Sequence, residues 1–141
     1  MFVIIVGGGR TGTYLARLLL SQNYDVHIIE SRPEILSRMH RDLPTEIIYE
    51  GDMNDLKLLE HAGIQKADVL AAVTTKDEAN LAACYIGRSC YNVRRTIARV
   101  NNPRNAWLFT EMFAVDVAVN PAETISHLIE EEMSMGDMMT L

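Results

Sequence analysis

Three features of the sequence predict an α/β fold built on a six-stranded parallel sheet with helices on both faces. An apolar, β-branched run, Phe2 to Val6, stops at glycines spaced G-x-G-x-x-G and passes directly into a helical stretch. A second apolar run ends in an acid, Glu30, about twenty residues past those glycines. Four further short apolar runs alternate with helical stretches over short connections, the pattern that parallel strands and crossover helices leave in a sequence.

The elements follow in order. Phe2 to Val6 has the composition of a strand buried on both faces. Gly7 permits the tight bend that follows, Gly9 lets backbone approach a phosphate, and Gly12 lets the helix lie close to the strand. Arg10 to Leu20 reads as that helix. Its start aims unpaired N–H groups and the positive end of the helix dipole at one spot, which suits a pyrophosphate. Tyr24 to Glu30 is the second strand, and its terminal carboxylate stands where ribose hydroxyls can donate to it. A carboxylate there repels a 2′-phosphate, and Arg32, two residues on, softens that preference against NADP.

Ser31 or Arg32 caps a helix over 34–42, with Pro33 early, where its missing N–H costs nothing, and Pro44 closes the unit. Thr45 to Glu50 is the third strand and ends at Gly51-Asp52. Asn54 caps a helix that turns Leu56, Leu58, Leu59 and Ala62 inward and stops near Gly63. Asp68 to Val73 is the fourth strand, apolar enough to be central, with Thr74 and Thr75 at its carboxyl end. Lys76 to Arg88 forms a helix with Ala79, Ala82, Ala83 and Ile86 at helical spacing, ended at or soon after Gly87. Arg95 to Val100 is the fifth strand. Asn101-Asn102-Pro103 then introduces a helix burying Trp107, Leu108, Met112 and Phe113. Val115 to Val119 is the sixth strand, and a last helix follows Asn120-Pro121 over 122–133. Residues 134–141, with three of the eight methionines, remain as a tail or the start of a linker.

Short right-handed connections between such strands give a Rossmann-like, doubly wound sheet of order 3-2-1-4-5-6. Ligand is then expected over the carboxyl ends of the strands, at the switch between strands one and four. That edge gathers the glycine loop, Glu30, Asp52, Thr74, Thr75 and Arg99.

Composition narrows the function. A chain of 141 residues is one domain, here 1–133, with room for a core. A formal charge of −6 with scattered basic residues excludes a nucleic-acid footprint. No apolar stretch is long enough for direct membrane insertion, and no signal-peptide pattern precedes Phe2, so a cytoplasmic protein is expected. Cys84 and Cys90 have no metal-ligand or redox spacing and read as free thiols. His27, His40, His61 and His127 fall on separate elements, so no metal site is expected. Neither Tyr85 nor Tyr91 has a lysine four residues on, and no Ser/His/Asp set is placeable, so no catalytic residues are expected. The competing reading is a small NAD-dependent oxidoreductase fragment. A third is a dimerisation scaffold that binds nothing.

The segments GGGRTG, HIIE, EGDMNDLKLLEHAGIQKADVLAAVTTKDEANL, TIARVNNPRNAWLF and VDVAVNP together resemble the KTN domain, the N-terminal RCK-type (TrkA-N) domain of TrkA-like potassium-transport regulators. The resemblance covers nearly the whole chain. It implies a regulatory subunit at the inner face of the cell membrane, bound to a potassium channel or transporter and assembled as a homodimer or larger ring. It implies NAD(H) or ATP/ADP as ligands that bias conformation. On this resemblance Gly7, Gly8, Gly9, Arg10 and Thr11 match the pyrophosphate loop that Gly12 completes, and Glu30 matches the ribose acid. Asp52 falls by the adenine, and Thr74, Thr75 and Arg99 match the ends of strands four and five. Arg10 is placed to pair with terminal phosphates, its own subunit's or a facing one's. Some ATP-binding members have Pro-Glu after strand six, whereas Pro121-Ala122-Glu123 here moves the acid by one. Members usually continue into a smaller C-terminal ligand-binding domain. Apolar Trp107, Phe109 and Phe113 serve either an interface between subunits or an intramolecular core.

Overall fold

The computed structural model describes residues 1–140, with side chains through Gly136. Six strands, β1 (Phe2–Val6), β2 (Asp25–Glu30), β3 (Ile48–Glu50), β4 (Val69–Ala72), β5 (Arg95–Arg99) and β6 (Val117–Val119), form one sheet. Its order is β3-β2-β1-β4-β5-β6 and every pairing is parallel. The expected topology is therefore the one observed.

Alternation along β1 divides the interior into two cores. Ile4 and Val6 face one way, toward Leu59, Ile64, Leu81, Cys84 and Phe109. Val3 and Ile5 face the other, toward Ala16, Leu36 and Met39. The second core is covered by α1 (Arg10–Ser21) and α2 (Pro33–Asp42), the first by α3 (Leu56–His61) and α4 (Asp77–Tyr91).

Several boundaries differ from those the sequence suggests. Thr45–Ile47 is a 3₁₀ turn rather than the start of β3, because only Ile48, Tyr49 and Glu50 find partners on β2. Asp55 caps α3, its side chain accepting from the Lys57 N–H, so Asn54 does not, and Leu56 at the first helical position faces solvent. α4 runs through Gly87, which is buried where a Cβ would meet Leu70, and ends at Asn92 in the left-handed conformation. Pro103 opens no α-helix. Two 3₁₀ segments, Pro103–Leu108 and Glu111–Phe113, leave Trp107 and Met112 exposed while Phe109 alone is fully inserted. β6 starts at Val117, two residues later than expected.

The closing helix, α5, runs over Pro121–Thr140, not only 122–133. Asn120 and Glu123 open it reciprocally. The Glu123 N–H donates to Asn120 Oδ1 at 3.2 Å, and Asn120 Nδ2 donates to Glu123 Oε2 at 3.3 Å. Every residue from Ala122 to Gly136 is exposed, Ile125, Leu128, Ile129 and Met133 included. Leu141 and the side chains of Met138 and Met139 lie outside the described residues. Among the described residues no helix is long and apolar enough to cross a membrane.

Candidate functional site

The glycine loop is shaped by close approach. Gly7 adopts φ of +113°, and a Cβ there would press within 3.1 Å of the Thr74 Cα, so the loop lies against the end of β4. Gly12, buried in the first turn of α1, has no room for a Cβ because the Gly7 carbonyl oxygen occupies that place. The strand, the loop and the helix are thereby held in one compact turn. Gly9 is the N-cap of α1 and no side chain caps the helix, so the first N–H groups are free of both intrahelical and side-chain acceptors.

Glu30 completes this turn from the neighbouring strand. Its side chain is only 5% exposed, and both oxygens are occupied. Oε1 accepts from the Gly8 N–H at 2.8 Å and from Arg32 Nη2 at 2.8 Å. Oε2 accepts from the N–H groups of Ser31 and Arg32, each at 2.9 Å, and from Arg32 Nε at 3.0 Å. Burial alone would raise the carboxyl's pKa. The Arg32 guanidinium and the N–H groups of Arg32, Gly8 and Ser31 outweigh burial and bring it from 4.5 to about 2. The same pairing raises the Arg32 pKa. The acid is thus a fixed anion beside the loop, with Arg32 folded over it.

The expected site residues distribute over three clefts around the loop. Gly7, Glu30, Asp52, Thr74 and Thr75 line the largest polar one, about 540 Å³, floored by Val6 and Ile29. Gly8, Gly9 and Arg10 face a second, about 350 Å³, between α1 and α2. Arg10, Thr11 and Arg99 border a third, about 730 Å³ and mostly apolar, over Leu15, Ile97 and Val119. Arg99 Nη1 donates to Thr11 Oγ1 at 3.2 Å, joining β5 to the loop, while its Nε is buried without a partner. Asp52 is exposed and holds the turn after β3 by accepting from the Asn54 N–H at 2.9 Å.

Two residues that sequence reasoning passed over set the strand ends in place. Asn80, fully buried on α4, accepts at Oδ1 from the Thr74 N–H (2.9 Å) and hydroxyl (2.7 Å). Its Nδ2 donates to the carbonyls of Thr74 (3.1 Å) and Arg99 (2.9 Å). Asp77, also buried, accepts from the N–H groups of Asn101 (2.7 Å) and Asn102 (3.0 Å) and from Asn105 Nδ2 (2.8 Å). Burial pushes its carboxyl up, but these donors hold it below the usual range. The available signal was spacing: Asp77, Asn80, Cys84 and Gly87 share one helical stripe with Leu81, all of them buried. Cys84 is buried and Cys90 exposed, both free. Among the described residues no cluster could hold a metal ion.

A family model described as the TrkA-N domain matches residues 3–121. The chain is 35% identical over 141 residues to the Trk system potassium uptake protein TrkA of Mycobacterium tuberculosis, covering all of this chain and 63% of that protein. It is 38% identical over 131 residues to a TrkA homolog of Methanothermobacter thermautotrophicus, covering 93% of this chain and 59% of that protein. The chain therefore spans about three-fifths of the length of these relatives. Among solved structures, it superposes on the TrkA-N domain of the Escherichia coli inner membrane protein ybaL with TM-score 0.77 at 19% identity, covering 92% and 94% of the two chains. The GsuK channel bound to NAD gives TM-score 0.73 at 22% identity, over 94% of this chain and 24% of that one. GsuK bound to ADP gives 0.75 at 21%, over 92% and 32%.

Proposed function

This chain belongs to the TrkA-N domain family, and from that premise we propose that it is a nucleotide-sensing regulatory module of a potassium-transport system. The observation that carries the reading is the uncapped start of α1, set on a glycine loop beside the buried anion Glu30 at the head of a polar cleft. Backbone N–H groups and helix dipole suit a pyrophosphate, and a carboxylate one strand over suits ribose hydroxyls. The ligand is NAD(H) or ATP/ADP, which share the adenosine diphosphate that such a site recognises. The matched relatives are potassium uptake proteins, and two solved neighbours carry NAD and ADP. Gly7, Gly8, Gly9, Arg10, Thr11 and Gly12 form the phosphate seat, Glu30 and Asp52 the adenosine side, and Thr74, Thr75 and Arg99 the opposite rim.

The module acts by binding. The polar cleft is lined by Glu30, Ser31, Arg32, Asp52, Lys76, Glu78 and the hydroxyls of Thr74 and Thr75, groups that can hold a nucleotide by hydrogen bonds and charge. A ligand then regulates only through differential affinity for two arrangements of the assembly. The loop and Glu30 supply affinity common to both, and Arg10, exposed at the loop's edge, supplies the difference. The assembly is a homodimer or larger ring. Its support is the bare apolar stripe of α5 together with the apolar third cleft, whose rim includes exposed Tyr14, Leu18 and Val119. The module sits in the cytoplasm, at the inner face of the membrane through its channel or transporter partner.

Calorimetry with NAD, NADH, ADP and ATP in parallel tests the reading. Micromolar binding of at least one ligand supports it, and no binding of any favours a bare dimerisation scaffold. Sustained NADH oxidation with carbonyl substrates would instead make the chain an oxidoreductase fragment.

A further inference from the structure

The carboxylate of Glu30 offers about four lone-pair positions, and five donors already occupy them. Three of these donors are backbone N–H groups, of Gly8, Ser31 and Arg32, which cannot leave without unmaking the turn. The other two are Nε and Nη2 of Arg32, one on each oxygen. The Arg32 side chain is 41% exposed against 5% for Glu30, so the guanidinium covers the acid from the solvent side. It also lines the polar cleft. A ribose diol brings two O–H donors to the same acid. The number of exchangeable donors equals the number a ribose supplies.

We propose that Arg32 is an internal competitor for the ribose seat: its guanidinium leaves both oxygens of Glu30 when the 2′- and 3′-hydroxyls of an adenosine nucleotide arrive. This inference rests on the reading of the cleft as a seat for adenosine diphosphate. Its consequence is that the hydroxyls contribute little to affinity in the native chain, because each new O–H bond replaces an existing N–H bond of an ion pair. Arg32 thereby sets how strongly the site distinguishes ribonucleotides from nucleotides lacking the diol. The exchange also accounts for a buried acid faced by a half-exposed partner: the backbone donors keep Glu30 in place while the guanidinium gives way.

The test compares ADP with its 2′,3′-dideoxy analogue by calorimetry on the native chain and on Arg32→Ala. The ratio of the two dissociation constants isolates the hydroxyls, since any effect of Arg32 on the phosphates cancels. Removing the guanidinium opens one position on each oxygen, and the preference for ADP over the dideoxy compound is expected to grow about fivefold, the scale of an exposed ion pair. Arg32→Gln, which keeps a polar stem but loses the planar fork, is expected to shift the ratio in the same direction. A preference unchanged in both variants overturns the proposal while leaving nucleotide binding intact. If neither the native chain nor the variants bind ADP or the analogue, the seat itself is refuted.

Discussion

The most direct test of the loop's architecture is acid titration of stability, with Glu30 as its reporter. In the folded chain burial opposes ionisation, yet Arg32 and three backbone N–H groups bring the pKa from 4.5 to about 2. Each pKa unit is ~1.4 kcal/mol of preference, so the ionised, folded acid contributes about 3 kcal/mol of stability at neutral pH. The folded pKa lies below the unfolded one, so unfolding takes up a proton at low pH. The contribution is therefore complete above pH 4.5 and is lost as pH falls through 2, with more than half gone by pH 3. Asp77 and Asp116 are depressed in the same direction and steepen the acid limb of the native chain. The readout is accordingly the difference between the native chain and Glu30→Gln, by urea denaturation at pH 7, 4.5, 3 and 2. The variant should be about 3 kcal/mol less stable at pH 7, and the gap should close toward pH 2. A gap independent of pH would refute the claim that Glu30 is held as a fixed anion by the loop.

Gly12→Ala should destabilise the chain by about 3 kcal/mol or more, read by thermal melting, because its methyl overlaps the Gly7 carbonyl. Helix propensity alone predicts a gain of up to ~1 kcal/mol, so the sign of the change decides. Asn80→Ala strands the Thr74 N–H and the Arg99 carbonyl and should cost about 2–4 kcal/mol in urea denaturation. A cost within error would remove Asn80 as the tie between β4 and β5. Under native conditions a disulfide reagent should modify one thiol per chain, at Cys90, because burial pushes the Cys84 thiol up to about 12. Two equally fast thiols would contradict that burial.

The fold was legible because its determinants are local in sequence. Parallel strands buried on both faces must be apolar throughout, and the β1 turn needs glycine wherever a Cβ has no room. Both conditions leave plain marks. The place of Glu30 beside the loop was legible for the same reason, since it closes the strand next to β1 about twenty residues past the glycines. The misread stretches are those whose conformation depends on distant partners. Thr45 to Ile47 looks like strand, but it coils into a 3₁₀ turn beside β2 and only Ile48 to Glu50 join the ladder. Trp107 and Met112 look like core, but the short 3₁₀ path after Pro103 carries Phe109 fully inward and Leu108 and Phe113 only partly. Asp77 and Asn80 were overlooked because polar residues near a helix start usually face water. Only the strand ends they bridge, far apart in the chain, show why they are buried. Arg32's grip on Glu30 is a matter of rotamer, which residue identities do not encode.

The run from Gly7 to Thr11 borders three separate clefts, Gly7 the first, Gly8 to Arg10 the second, and Arg10 and Thr11 the third. Among these residues Arg10 borders two of the three clefts, the second and the third. A substitution at Arg10 therefore alters two clefts together, whereas one at Gly7 alters only the first.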